Sequence, residues 1–192
     1  MDTILQIWGG ASYLLNKICF SRAERSASRG MNRTWRLWSW GIYLAGLPAW
    51  VIIFVSEHNW IAATVESGGA PAMAIGFIIA LRGHGNEPAW LDYLARFSVV
   101  FGLAASLYEF GGITTLNQVF ELAIAAGFLM GTYLTAKDSV QGYFWLMLGN
   151  VSCAALMGIQ GYWILSAQQM VSLIFVIDAC RSRRRRAGGT RQ

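Results

Sequence analysis

Charged residues are scarce in this chain of 192 residues. They make up 13% of the sequence, whereas soluble domains carry about 25%. Hydrophobic residues make up 55%, and the mean hydropathy is +0.42. These values exclude an ordinary soluble domain and indicate a membrane protein. The many glycines and aromatic residues agree with helices that pack against one another in lipid.

Motifs for covalent or metal chemistry are also lacking. The three cysteines, Cys19, Cys153 and Cys180, are far apart in sequence and define neither a disulfide framework nor a metal site. The two histidines, His58 and His84, fall in predicted loops, and no HExxH, Ser-His or Walker A pattern occurs. We therefore predict that the chain is not an enzyme and uses no cofactor. The N-terminus lacks the basic region of a signal peptide, so we expect it to be retained.

What the chain does have is seven apolar runs. Since roughly 20 apolar residues cross a bilayer, we predict an all-α integral membrane protein with a single transmembrane domain over residues 1–192. The predicted spans are Thr3–Phe20, Trp38–Val55, Trp60–Leu81, Leu91–Phe110, Leu116–Ala136, Phe144–Gly158 and Tyr162–Cys180. The first is the weakest, because it is short and contains Asn16 and Lys17. It could instead lie in the membrane interface.

Lysine and arginine are distributed on one side only. All fifteen fall in or beside a basic linker (21–36), the connections 82–90 and 137–143, and a basic tail (181–192). The positive-inside rule makes these segments cytoplasmic and places the N-terminus outside. Six spans, with the first segment lying on the cytoplasmic face, fit the same distribution. For the basic tail, anionic lipid is favoured over nucleic acid as the partner.

A faint internal repeat relates the two ends of the chain. A shift of 103 residues places the second and third spans on the sixth and seventh, and it aligns Gly46 with Gly149 and Glu66 with Gln169. This predicts a parallel repeat of three spans, one linker span and three spans. A different shift, of 55 residues, aligns stripes of small residues and indicates close helix packing instead. Transporters with repeats bind substrate near the midplane between them.

Amides within the predicted spans are candidate site residues, since such groups usually face the bundle interior or a water-filled path. Asn150 shares one helical face with Tyr143, and Gln169 on the last span can converge on the same cavity. Trp145 lies on the same span but off that face. A cavity walled by Tyr and Trp suits a flat polar heterocycle, because rings stack on aromatic faces and amides pair with ring edges. The alternative is that these amides, and Gln168, only join helices by hydrogen bonds.

The two intramembrane acids, Glu66 and Glu121, also allow two interpretations. They could couple proton movement to transport, or they could be neutral packing residues near the outer ends of their helices. We favour the second interpretation, because a coupling acid should be reachable from both sides of the membrane in turn.

The last three spans carry a pattern of spaced residues. In chain order these are Glu121, Gly131, Lys137, Tyr143-Phe-Trp145, Gly149-Asn150, Gly161-Tyr-Trp163 and Gln169. This pattern resembles the PnuC family of vitamin transporters, which carry nicotinamide riboside and related vitamins. The resemblance implies a three-one-three bundle like that of SWEET transporters, in a bacterial inner membrane and often as a homotrimer. It also implies facilitated diffusion of a small vitamin or nucleoside.

The substrate site predicted from the spans and this resemblance has six members. Its residues are Tyr143, Trp145, Asn150, Gln169, Glu66 and Glu121, with the two acids near an outer gate. The alternative function is a membrane subunit or scaffold that carries no cargo.

Overall fold

The computed structural model describes residues 2–58, 60–109 and 115–189. Within these ranges the chain is helical and contains no strand. The helices are α1 (Asp2–Arg25), α2 (Arg29–Ser56), α3 (Trp60–Gly68), α4 (Ala70–Arg82), α5 (Ala89–Glu109), α6 (Leu116–Ala136), α7 (Gln141–Ile159) and α8 (Trp163–Gly189). The predicted all-α fold is confirmed. Phe110, at the end of the predicted fourth span, and residues 190–192 of the predicted tail lie outside the described residues.

Six helices in the described ranges are long and apolar enough to cross a membrane. They are α2, α5, α6, α7, α8 and the pair α3 and α4, which only Gly69 separates. Large apolar side chains are exposed on these helices; on α5 they include Tyr93, Phe97, Val100 and Phe101. Lipid requires such a surface, whereas water would penalise it. The fold is therefore consistent with a multi-pass membrane protein.

Helix α1 is not among the six, because polar residues lower its hydropathy. It nevertheless runs antiparallel along α2. Near one end, Gly9 packs against the indole of Trp50. Near the other, the Asn32 side chain donates to the Ala23 carbonyl at 2.6 Å. The contacts thus extend over about 21 Å of helix axis.

The helices form a ring around a side-chain-filled interior. Helix α1 packs on α2, α2 on α3 and α4, α4 on α6, α6 on α7, α7 on α8, and α8 returns to α1. Helix α5 lies outside this ring, against α3, α4 and α6. The approach of α6 to α7 depends on glycine, because a Cβ on Gly127 would overlap the backbone of Gly149.

The segment predicted as a basic linker, 21–36, is mostly helical. Helix α1 continues to Arg25 and α2 begins at Arg29, which leaves only residues 26–28 between them. The predicted tail is also helical as far as Gly189. Contacts between helices explain the extension, since Arg25 of α1 pairs with Asp178 of α8 at 2.6 Å. The end of the ring where these segments meet also holds the connections 83–88 and 137–140, and we call it the ionic end.

Candidate functional site

A cluster of charges closes the ring at the ionic end, with Glu24 and Arg36 buried and Asp138 and Arg183 partly exposed. This ionic cluster consists of Glu24, Arg36, Asp138, Tyr143 and Arg183. Glu24 is fully buried, and it accepts from Arg36 Nη2 at 2.5 Å and from the Tyr143 hydroxyl at 3.1 Å. Arg36 Nη1 pairs with Asp138. Arg183 Nη1 lies 3.7 Å from Glu24 Oε2, and its Nη2 donates to the Asp138 carbonyl oxygen at 3.4 Å. Ion pairs and hydrogen bonds therefore join four helices and one connection at this end.

The cluster balances two carboxylates against two guanidinium groups, which is the condition for burying them. Asp138 has φ 61° at the end of α6, a backbone conformation that Asp tolerates well. Its second carboxylate oxygen lies 2.6 Å from His84 Nε2. Burial works against ionisation of Asp138, but the charge of Arg36 outweighs it and holds the pKa of this carboxyl below its ordinary value.

A second group of buried residues, the middle layer, lies further into the ring. Seven residues are nearly two helical turns, so a residue seven positions from the cluster faces the same interior about 10.5 Å deeper. The positions that satisfy this rule on α1, α2, α7 and α8 are Lys17, Tyr43, Asn150 and Val176. All four are buried, with exposed fractions of 6%, 6%, 1% and 3%. On each of the four helices, the cluster residue and the middle-layer residue therefore lie on the same buried face, seven positions apart.

The polar groups of the middle layer are poorly paired. Lys17 Nζ lies 5.1 Å from the centroid of the Tyr43 ring, and it forms no ion pair with any residue that the structure describes. The Tyr43 hydroxyl is 3.5 Å from Thr132 Oγ1 on α6. Asn150 donates from Nδ2 to the Leu146 carbonyl at 2.6 Å, while its Oδ1 is buried without a partner among the described residues.

Other buried polar atoms without described hydrogen-bond partners occur on the same helices and on α6. They are Tyr13 Oη, Asn16 Oδ1, Trp50 Nε1 and Thr135 Oγ1, together with Glu24 Oε2 and Arg36 Nε of the ionic cluster. The Tyr13 ring packs edge-on against Tyr43, with centroids 4.9 Å apart, and lies 6.0 Å from the Trp50 ring. Buried polar groups nearly always have a partner, which can be a water or a bound solute. The region around the middle layer therefore has the chemistry of a polar binding site with an aromatic wall.

Of the predicted site residues, Asn150 lies in the middle layer, whereas Tyr143 belongs to the ionic cluster. Gln169 is half-buried and lies seven positions before Val176, on the same face of α8. The depths of the two amides therefore differ by about 10.5 Å along the ring axis. Trp145 is half-buried on α7.

The remaining amide and the two acids lie elsewhere. Gln168 donates to the Gly10 carbonyl of α1 at 3.4 Å, which makes it a link between two helices. Glu66 and Glu121 are each about 23 Å from the ionic end of their helices, by the helical rise per residue. Glu66 Oε1 is buried without a described partner, and Glu121 is partly exposed.

The sequence interpretation did not single out Lys17, Glu24 or Arg36 as site residues. It used the basic residues to assign topology and placed Glu24 within the linker 21–36. A signal was present in the spacing. Arg36 and Tyr43 are seven residues apart, as are Lys17 and Glu24. Each pair joins the basic linker to the apolar run beside it, and this spacing places both members on one helix face.

The grooves on the outer surface are separate from these residues. One, of about 420 Å³, lies between α2 and α4, and another, of about 380 Å³, lies between α2, α3 and α5. Neither is lined by a predicted site residue. Asn150 itself is buried, with an exposed fraction of 1%. Among the described residues, no three His, Cys, Asp or Glu side chains are grouped so that they could hold a metal ion.

No protein-family model, curated protein or solved structure matches this chain. The resemblance to the PnuC family therefore stays a prediction from the residues quoted above.

Proposed function

We propose that the chain is a membrane carrier that moves a small vitamin or nucleoside by facilitated diffusion through the interior of the helix ring. The observation that supports this most is the middle layer, where Asn150 Oδ1 is buried without a described partner and Lys17 is buried without an ion pair to any described residue. An unsatisfied polar group costs several kcal/mol in lipid. A bundle with a purely structural role would gain by pairing these groups or by replacing them with apolar side chains.

The ionic cluster has the position that a gate requires. A carrier exposes its central site to one side at a time. The cluster links α1 and α2 near the start of the chain to α7 and α8 near its end, so separating those pairs of helices would open the interior at the ionic end. The conformation described here is closed at that end.

The proposed architecture is seven spans in a three-one-three arrangement. Helix α1 contacts α2 over most of its length and exposes Ile4, Ile7 and Leu15, which favours a span over a segment lying flat in the interface. The packing order is the same in both halves: α1 on α2 and α2 on α3–α4, then α6 on α7 and α7 on α8. Gly46 faces α1 just as its repeat partner Gly149 faces α6.

The ionic end is proposed to be cytoplasmic, because most of the basic side chains gather there. The N-terminus would then lie outside and the C-terminus inside, in a bacterial inner membrane. Anionic lipid is the proposed partner of the basic residues, nucleic acid is not expected, and assembly as a homotrimer follows only from the resemblance. Nicotinamide riboside is the cargo that the same resemblance suggests.

A scaffold without cargo is the second candidate, and the burial of Asn150 favours it. The two functions differ in what removal of an amide does. We expect Asn150→Leu and Gln169→Leu to reduce solute flux by at least about tenfold, which is 1.4 kcal/mol, while the thermal midpoint in detergent changes little. Leucine suits both lipid and helix, so insertion should be preserved.

The test uses purified protein in liposomes with a panel of labelled vitamins and nucleosides that includes nicotinamide riboside. Gln168→Leu is the matched control, because Gln168 links α1 to α8 and should affect stability but not flux per folded molecule. Early melting of the Asn150 and Gln169 variants, with flux lost only in proportion to unfolding, would show that the amides are structural. A wild-type protein that passes none of the panel would favour the scaffold.

A further inference from the structure

Lys17 is a cation for which the described part of the chain supplies no counter-charge. Its side chain is 6% exposed and lies on the face of α1 that also carries Tyr13 and Glu24. Its one described favourable contact is a cation–π interaction with Tyr43, whose ring centroid lies 5.1 Å from Nζ, and such a contact is weak. Burying an unpaired ammonium costs far more than that.

The acids near the ionic end already form ion pairs with other basic residues. Glu24 and Asp138 are shared between Arg36 and Arg183. The other pairs at this end are Asp178 with Arg25, Asp92 with Arg96, and both Glu87 and Asp92 with Lys137. Glu66 and Glu121 lie roughly 12 Å from the middle layer along the ring axis, by helical rise. The interior at Lys17 therefore carries a net positive charge.

The surroundings of Lys17 favour a flat anion. Tyr13 lies one turn away on the same helix face, and its hydroxyl is buried without a described partner. The rings of Tyr13, Tyr43 and Trp50 form one side of this region. A cation and a free hydroxyl suit a carboxylate, and the rings suit a planar group attached to it.

We infer that the cargo of this carrier is a small flat carboxylate, and that Lys17 binds its negative group. The inference rests on the proposed carrier function and narrows the cargo class. A positively charged solute such as nicotinamide riboside would meet a like charge in the middle layer, so the inference argues against it as the preferred cargo.

Three probes with one ring and different charges test this inference. They are pyridine-3-carboxylate, its neutral carboxamide, and the N-methylated carboxamide, which is a cation. Wild-type protein in liposomes should pass the carboxylate at least about tenfold faster than the cation, after subtraction of protein-free liposomes. Lys17→Met should remove that preference, and Lys17→Arg should retain most of it. In detergent, the carboxylate should raise the thermal midpoint of the wild type but not of Lys17→Met.

Arg22→Met is the matched control, since Arg22 is an exposed basic residue on the same helix that stacks on Trp35. It removes the same charge from the surface and should leave the preference unchanged. Flux of the cation equal to or above that of the carboxylate, or a preference that survives in Lys17→Met, would overturn the inference while leaving a carrier. Flux of none of the three probes, with no thermal shift by any of them, would count against the carrier function as well.

Discussion

The ionic cluster and the middle layer are two buried polar regions on the same helices, one heptad apart, and they differ in how their groups are paired. In the cluster, each carboxylate accepts from or lies beside an arginine. In the middle layer, Lys17 has no described ion-pair partner and Asn150 Oδ1 has no described donor. The comparison separates charges that hold helices together from a charge that is available to bind a cargo.

The difference has an energetic reason. A buried ion pair contributes little beyond what its own desolvation costs, but removing one partner leaves a buried charge without compensation. The cluster is therefore sensitive to the loss of a single member. Removing an unpaired group such as Lys17 takes away a desolvation cost instead, so stability should be kept while function is lost.

The largest expected effect is on the cluster. Arg36→Met should leave Glu24 and Asp138 without their closest cation and lower the free energy of unfolding by about 3–5 kcal/mol. The measurement is thermal or denaturant unfolding in detergent. If the protein also opens at the ionic end, a water-soluble thiol reagent should reach Cys180, which is buried in the structure.

Arg25→Met is the matched control for this prediction, since Arg25 also pairs with an acid across helices, but its side chain is 65% exposed. Exposed pairs contribute little, so this variant should melt within about 2 °C of the wild type. Equal destabilisation by the two substitutions would show that burial does not distinguish the cluster from an ordinary surface pair.

A smaller effect on thermal stability is expected when the pH is lowered. Despite its burial, Asp138 has a lowered pKa because of Arg36, with Arg183 and His84 also facing it. A group whose pKa is lower when folded contributes stability that is present above its unfolded pKa, about 3.9, and is lost as pH falls through the folded value. The wild-type thermal midpoint should therefore drop by several degrees below about pH 4.

Asp138→Asn tests the origin of that drop. The variant should melt below the wild type at pH 7, and the gap should close as the pH falls, because protonated Asp and Asn are then nearly equivalent. Parallel curves for the two proteins between pH 7 and pH 3 would exclude Asp138 as the source. Lys17→Met should keep the wild-type slope, because it leaves the cluster intact.

Much of the helix content could be predicted from the sequence, but the pairing of the inward faces could not. Hydropathy located the apolar runs, and the shared face of Tyr143 and Asn150 followed from their spacing. Hydropathy could not show that Tyr143 contacts Glu24, since 119 residues separate them. Contacts at that separation depend on how α1 and α7 meet across the ring, which the local pattern does not specify.

The roles of the two adjacent amides of α8 also depend on contacts between helices, which the local sequence pattern does not specify. Adjacent residues on a helix differ by about 100° in direction, so Gln168 and Gln169 cannot play the same role. Sequence alone favoured Gln169 for the cavity, and the structure adds that Gln168 reaches Gly10. The distance of each amide from the ionic end follows from the positions of Arg183 in the cluster and Val176 in the middle layer, which only the structure gives.

The smallest expected effect is that of an ion gradient on the final distribution of cargo, and we expect none. Acids at the ionic end are paired with arginine or lysine, and Glu66 and Glu121 lie near the opposite end of the ring. A carboxylate that couples proton movement should be reachable from both sides in turn, which favours a position near the middle layer. That layer contains Lys17 and Asn150 but no described acid, so no described carboxylate lies where it could carry a proton through.

Liposomes loaded with pyridine-3-carboxylate at equal concentration inside and outside provide the measurement, with the membrane potential clamped at zero and protein-free liposomes subtracted. An imposed pH or sodium gradient should leave the internal level unchanged, because a passive carrier speeds equilibration without shifting it. Accumulation that depends on either gradient, and that Glu66→Gln or Glu121→Gln abolishes, would contradict facilitated diffusion. Those acids would then be coupling residues. The groups required for transport would lie both in the middle layer and near the outer end of the ring.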